Sequence, residues 1–310
     1  MSRWAMSDGG RTLARMSRWT TADIPDQTGR TFVVTGANSG LGLQSTRALT
    51  DAGARVIMAC RDTGRAETAR AGLAHPDRAE VVELDLADLE SVHAAGELLA
   101  GRSPDVLINN AGLMNIPRSR TAQGHEMQFG VNVLGHFALT EHVAPALTDR
   151  VVWLGSMMHR FGTVDPHDLD WTRRRYAPMP VYAASKLACV MLAYEQQRRL
   201  EAAGSPLRAV AAHPGYSATN LQYRSGSRVQ DLLMKGVEKI PFLVQPAERG
   251  ALPQLYAATV ESVAGGAYIG PDGPGELTGY PTTVTSTKAS HDREVAAALW
   301  DRCREMSAQG

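Results

Sequence analysis

Cysteine is scarce in this chain: three residues in 310, Cys60, Cys189 and Cys303, each more than a hundred positions from the next. An odd number at that spacing excludes a disulfide framework, a C-x-x-C redox pair and a cysteine-based zinc site. The thiols read as free, in a reducing cytoplasm. No apolar run approaches the roughly 18 residues needed to span a bilayer. The N-terminus also lacks the continuous apolar core of a signal peptide, so a soluble protein is expected. Net charge is missing as well, with Lys+Arg 32 against Asp+Glu 32. Without a basic field to displace counterions, nucleic acid is not an expected partner. What the chain does have is 44% hydrophobic and 21% charged residues, the composition of a chain that buries a core.

Met1-Ser2-Arg3-Trp4 recurs as Met16-Ser17-Arg18-Trp19 in a stretch poor in periodic apolar residues. Residues 1–26 are expected to be a leader without fixed structure, with Met16 a candidate start. The alternative is a membrane-surface anchor built on Trp4, Trp19 and the arginines, which a thin apolar face disfavours.

From residue 31 short β-rich runs alternate with longer helical ones, the pattern of a parallel sheet covered on both faces. Strands are expected at 31–35, 55–59, 80–84, 105–109, 150–154, 207–212 and 267–269. The clearest helices are 40–52, 89–99, 124–147, 181–203 and 247–260. No Pro/Gly/Ser-rich linker divides them. The expectation is one α/β domain over 27–305, a doubly wound Rossmann-type fold with a seven-stranded parallel sheet. Periodicity breaks at 215–245, where Leu221, Val229, Leu232, Leu233, Met234, Ile240 and Phe242 follow a strand end. That apolar insertion is a candidate substrate lid, with core or dimer surface as the alternative.

After the first strand comes Thr35-Gly36-Ala37-Asn38-Ser39-Gly40-Leu41-Gly42, running straight into a helix. Glycines at such a junction allow a tight turn and let the backbone approach a pyrophosphate at the positive end of the helix. The Gly-x-x-x-Gly-x-Gly spacing resembles that of the short-chain dehydrogenase/reductase family. Four more matches follow in family order: Asp85-Leu86, Asn109-Asn110-Ala111-Gly112, Ser156, and Tyr182-Ala183-Ala184-Ser185-Lys186. Only six asparagines and four lysines exist in the chain, and Asn38, Asn109, Asn110, Asn132 and Lys186 all fall on family positions. The Ala59-Cys60-Arg61-Asp62 and 109–114 stretches are most similar to the retinol-dehydrogenase branch.

The resemblance implies a nicotinamide cofactor. Asp85 would accept from the adenine amino group, a helix cap being the other reading, and Asn109, Ala111 and Gly112 would pass beneath the adenosine. Pro214 and Gly215 would hold the nicotinamide carboxamide, with Thr219 as its polar contact. Where family members that prefer NAD carry an acid, this chain has Arg61, and a guanidinium can fork onto a 2′-phosphate. NADP is therefore the expected cofactor, with neighbouring Asp62 keeping NAD open.

Tyr182 and Lys186 stand four apart on an expected helix and so share a face. A free phenol titrates near 10 and is a poor base at neutral pH; lowering it to about 7 takes roughly 4 kcal/mol. One ammonium at about 4 Å supplies about that at an effective dielectric of about 20. In the family the tyrosine exchanges a proton with the substrate oxygen while hydride moves, the lysine assists it and binds the ribose, and Ser156 orients the oxygen. Asn132, a poor helix former, would bend its helix and carry a water to the lysine. His159 and His213 lack ligand partners at metal spacing and read as packed or capping residues.

Met114, Ile116, Met157, Met158 and Phe161 surround the expected cleft, which fits a lipophilic alcohol, aldehyde or ketone. Arg173-Arg174-Arg175 reads as a solvated run more readily than as a phosphate site. A non-catalytic NADP(H) sensor or scaffold on the same fold is the rival, and a nucleotide-sugar epimerase a second one. Family habit suggests a homo-oligomer through the 124–147 and 181–203 helices.

Overall fold

A computed structural model describes residues 18–217 and 245–308. Eight strands form one sheet: β1 Thr31–Thr35, β2 Arg55–Cys60, β3 Ala79–Glu83, β4 Val106–Asn109, β5 Arg150–Leu154, β6 Arg208–Ala212, β7 Tyr268–Pro271 and β8 Pro281–Thr283. Their order is β3-β2-β1-β4-β5-β6-β7-β8, parallel throughout except for the antiparallel β7–β8 pair. The expected seven strands are present, and β8 is an addition. Three short, partly exposed residues, Pro-Thr-Thr, carry no apolar signal that could have announced it.

Helices cover both faces because the strands are apolar on both. Along β1, Phe32 and Val34 enter one core with Leu41, Leu49 and Leu255, while Val33 enters the other with Val92, Phe137 and Leu187. The first face carries α1 Gly40–Asp51 and α2 Thr63–Ala71; the second carries α3 Leu89–Ala100, α4 Gly135–Val143 and α5 Pro178–Ala202. A sixth helix, α6 Leu252–Thr259, lies on the first face and a seventh, α7 Arg293–Ser307, on the second.

Strand order reverses between β1 and β4, and the crevice at their carboxyl ends is where ligands bind in such sheets. Residues 18–26 are not the free leader expected. Trp19 packs edge-on against Tyr256 with ring centroids 5.2 Å apart, and Thr21–Asp23 forms a helical turn. Residues 1–17 lie outside the described set.

The single helix expected over 124–147 is divided. Gly124 has φ +87, Glu126 caps the turn Met127–Phe129, and the chain passes through a π-helical stretch, Gly130–Leu134, before α4 begins. Part of the surface of α4 and α5 is covered by α7 of the same chain. Trp300 stands edge-on to Phe137 at 4.8 Å, and Arg199 of α5 lies over the Trp300 indole and pairs with Asp301. Arg304 reaches Glu141 at 3.0 Å.

Both aromatic side chains at this junction are almost fully buried. Phe137→Ala is expected to lower unfolding free energy by about 3–5 kcal/mol, read as a shift in the denaturant midpoint. A loss below about 1 kcal/mol would show that α7 is not docked there.

Candidate active site

The end of β1 is tied to the end of β4 by one hydroxyl. Thr35 Oγ1 accepts the amides of Asn110 and Ala111, both at 2.9 Å, and Asn110 Nδ2 donates to the Thr35 carbonyl at 2.7 Å. The glycine loop sits on this seam. Gly36 has φ +65, a left-handed turn that glycine adopts without strain. A side chain at Gly42 would strike the Gly36 carbonyl oxygen and Asn110 Nδ2, the latter at 2.6 Å. Gln254 of α6 adds to the seam, donating to Ser45 Oγ at 2.6 Å and Asn110 Oδ1 at 3.2 Å.

Asn38 and Ser39 lead into α1, Gly40 opens it, and Leu41 is buried beneath it. Ser39 is the N-cap but makes no side-chain cap bond, so no hydroxyl covers the first-turn amides of α1. Under the loop, the Cys60 sulfur accepts from the amides of Ala37 and Asn38, and burial pushes its thiol up to about 11. Such a thiol is packing rather than a nucleophile.

Arg61 is exposed just beyond β2. Its neighbour Asp62 is engaged elsewhere, as N-cap of α2, accepting the Arg65 amide at 2.9 Å. At β3 the cap of α3 is Asp88, not Asp85; Asp85 Oδ1 accepts the Ala87 amide, and Leu86 is buried. Asn109 points into the core and donates to Thr140 Oγ1 at 2.9 Å, leaving Ala111 and Gly112 as the small residues on the crevice side.

The catalytic candidates converge at the β4 and β5 ends. Tyr182 and Lys186 lie one turn apart on α5, each more than nine-tenths buried. Lys186 Nζ stands 5.9 Å from the Tyr182 ring centroid and donates to the Leu154 carbonyl at 2.9 Å. A side chain at Gly112 would come within 3.6 Å of that ammonium. Ser156 caps the turn Met157–Phe161, its hydroxyl accepting the Met158 amide at 3.2 Å. Gly155, where the family pattern has a second serine, faces Val190 and the Tyr268 hydroxyl, which leave little room for a side chain.

Asn132 sits in the π-helical stretch, as a bent helix requires, but its groups are engaged within the protein. Its side chain accepts from the Leu113 amide at 2.7 Å and donates to the Leu113 carbonyl and Ser185 Oγ, both at 2.9 Å. Its carbonyl receives His136 Nδ1 at 3.1 Å and Cys189 Sγ at 3.3 Å. Lys186 is anchored on the Leu154 carbonyl, and Asn132 ties Leu113 to Ser185 of α5.

Residues 30–164 match the family model described as short chain dehydrogenase. Human retinol dehydrogenase 13 is 36% identical over 295 residues, covering 90% of this chain and 84% of that protein. Mouse polyprenol dehydrogenase is 36% identical over 303 residues, covering 93% and 86%. The crystal structure of an uncharacterized protein from Mycobacterium Paratuberculosis matches with a TM-score of 0.81 at 44% identity, covering 94% and 98% of the two chains. The chain belongs to the short-chain dehydrogenase/reductase family. As a member it is an NAD(P)-dependent oxidoreductase acting on CH–OH groups.

The residues of this short-chain dehydrogenase fit a dinucleotide. A Cβ at Gly36 or Gly42 would fill the loop, and the first-turn amides of α1 have no side-chain cap. At the other side of the crevice Gly215 has φ +64 against the Leu277 carbonyl, and the Tyr216 amide donates to that carbonyl at 2.7 Å. The Pro214 carbonyl accepts Ser217 Oγ and Gln245 Nε2, both at 2.7 Å. Thr219 and most of the expected lid, residues 218–244, lie outside the described set. Of the cleft residues, Met114, Ile116, Met157 and Met158 are partly buried and Phe161 is exposed.

Thr35, His136 and Gln254 bear on the site and were not anticipated. His136 is fully buried, with Nδ1 on the Asn132 carbonyl and Nε2 2.9 Å from Thr35 Oγ1, so one neutral ring joins the helix bend to the glycine loop. Burial, the dominant cause, pushes its pKa down to about 3, and burial lowers those of His159 and His213 too. Folded values below the unfolded one mean stability fully present above about pH 6.5 and lost as pH falls toward the folded values. The unfolding midpoint is expected to drop from pH 6.5 to 4, His136 alone costing roughly 1 kcal/mol per pH unit. A flat midpoint over that range would contradict a neutral buried His136.

Proposed function

We propose that this enzyme interconverts a lipophilic alcohol and its aldehyde or ketone, with NADP as cofactor and Tyr182 as general acid and base. The observation that carries the reading is Lys186 held on the Leu154 carbonyl at the end of β5, two residues before Ser156, with the Tyr182 ring 5.9 Å from its ammonium. The resemblance stated above gives each of them its role. When bound, the nicotinamide supplies or takes up the hydride.

In the reducing direction Tyr182 donates its hydroxyl proton to the substrate oxygen, and in the oxidising direction it takes that proton back. The acceptor side of Ser156 Oγ is filled by the Met158 amide, so its O–H remains to donate to the same oxygen and fix its direction. Lys186 has one N–H on the Leu154 carbonyl, which anchors the ammonium, and further N–H groups for the ribose and for the field felt by Tyr182. Burial of both residues excludes water, which strengthens that field. Gly36, Asn38, Ser39, Gly40, Leu41 and Gly42 would hold the pyrophosphate; Asp85, Leu86, Ala111 and Gly112 the adenosine; and Pro214, Gly215 and Thr219 the carboxamide.

NADP is favoured because Arg61 is exposed at the end of β2 while Asp62, the residue that kept NAD open, is held as a helix cap. Lipophilic substrates are supported by Met114, Ile116, Met157, Met158 and Phe161 and by the names of the relatives, retinol and polyprenol dehydrogenases. All three cysteines are buried and unpaired, which supports a reducing compartment such as the cytoplasm.

The test is fluorescence titration with NADPH and NADH, then oxidation of each with a panel of apolar aldehydes and ketones. Tighter NADPH binding with turnover is expected, and Arg61→Asp should reverse the preference by about tenfold or more. Tight NADPH binding without turnover across the panel would favour a sensor, and equal NADPH and NADH affinity in Arg61→Asp and wild type would remove the NADP argument.

A further inference from the structure

Behind the Ser156 turn lies a row of polar side chains that the proposed chemistry does not use, with Glu276 at its centre. Glu276 ends the helical turn Pro274–Glu276 after β7 and has φ +59, following Gly275 at +62. A non-glycine residue in the left-handed region persists where its surroundings over-determine it. One carboxylate oxygen receives the Arg160 guanidinium at 2.6 Å, and the other receives His213 Nε2 at 3.0 Å. Arg160 belongs to the turn that Ser156 caps, and His213 leads into Pro214 and Gly215.

The Gly215 amide points at His213 Nδ1 at 3.3 Å, which assigns the ring proton to Nε2, facing the carboxylate. The ring lies across Gly270, where any side chain would collide with Nε2. The next residue of the same loop, Leu277, accepts the Tyr216 amide at its carbonyl, which lies against Gly215.

We propose that Glu276 is a positioning residue that clamps the two halves of the site together, the Ser156 turn through Arg160 and the segment 213–216 through His213. The inference rests on the reading above that Ser156 and this segment serve hydride transfer with NADP. The clamp works with the carboxylate ionised and the imidazole neutral. The His213 hydrogen bond, the largest cause, holds the Glu276 carboxyl below its usual range, and burial lowers His213. The other titratable groups facing His213 are Arg160, the Tyr268 ring at 5.1 Å, and His159, whose Nδ1 meets the Ser156 carbonyl at 2.7 Å. A second proton on His213 would set N–H against the Gly215 N–H and free the segment. Acid that protonates His213, below the ordinary imidazole range because the ring is buried, therefore loosens NADPH more in wild type than in a protein already lacking the clamp.

The experiment compares wild type with Glu276→Ala, Glu276→Gln and Arg160→Leu, reading NADPH Kd by fluorescence, thermal midpoint, and kcat and KM for an apolar aldehyde, from pH 5.5 to 7.5. Glu276→Ala is expected to raise NADPH Kd at least tenfold at pH 7.5 and to flatten its rise in acid. Glu276→Gln keeps an oxygen for His213 but loses the charge on Arg160. It should hold NADPH Kd within about threefold while raising aldehyde KM, and Arg160→Leu should do the same. Kd and KM within twofold of wild type in Glu276→Ala, whatever its melting point, would overturn the clamp. If that variant does not fold, unchanged aldehyde KM in both other variants overturns it. Wild type that fails to bind NADPH would overturn the cofactor reading beneath it, a result separable from any effect of the variants.

Discussion

Tyr182→Phe is expected to lower kcat for carbonyl reduction about 10³-fold while leaving NADPH affinity within about threefold. The phenyl ring fills the same space on α5, and Tyr182 is already more than nine-tenths buried, so the packing is kept. What disappears is the hydroxyl proposed to pass a proton to the substrate oxygen in the field of Lys186, whose Nζ lies 5.9 Å from the ring centroid. Ser156 still orients the oxygen, so substrate KM should change little, and the loss should fall on kcat. Retention of a tenth or more of wild-type kcat would mean that the proton comes from elsewhere.

The second large effect is on the cofactor. Gly42→Val is expected to raise the NADPH Kd at least 100-fold, about 2.7 kcal/mol. Its Cβ would strike the Gly36 carbonyl, which is backbone, and Asn110 Nδ2, which is pinned by the Thr35 carbonyl at 2.7 Å. Neither neighbour can step aside, so the first turn of α1 must move off the loop that is proposed to hold the pyrophosphate. Gly64→Ala is the control. Its Cβ would meet only Asp62 Oδ1, at 3.7 Å, and an exposed helical alanine should stabilise by up to about 1 kcal/mol without altering Kd. Equal NADPH affinity in the two variants would remove the glycine loop from the binding site.

Much of this frame is written in short-range pattern. β1 and β5 begin and end where apolar, β-branched runs begin and end, because strands buried on both faces have nothing else to be made of. The spacing of Tyr182 and Lys186 is a property of one helix and can be read without knowing its neighbours. By contrast, α2 buries only Ala66 and shows no periodic stripe, so the sequence does not announce it. For α7 the stripe is present in Ala296, Leu299, Trp300, Cys303 and Met306, with Asp292 as cap. That stripe docks α7 on α4 and α5 through Trp300, which meets Phe137.

The site divides in the same way. Arg61 and the glycines are legible because each acts through its own backbone or exposed charge. Thr35, His136, Gln254 and Glu276 act through long-range partners 63 to 209 residues away, which no local spacing encodes. Asn132 lies between these cases: its place in a bent helix is legible, but its engagement by Leu113, Ser185, His136 and Cys189 appears only once those elements are packed.

The most direct test of hydride transfer to a lipophilic carbonyl is a label. NADPH carrying deuterium at the nicotinamide C4 would be incubated with an apolar aldehyde, such as a retinoid or polyprenoid aldehyde, and the alcohol analysed by mass spectrometry. The account predicts one deuterium on the carbinol carbon, delivered by wild type and lost in Tyr182→Phe despite retained NADPH binding. Tight NADPH binding with no labelled alcohol from any apolar aldehyde or ketone would contradict it and leave a nucleotide-binding protein without this chemistry.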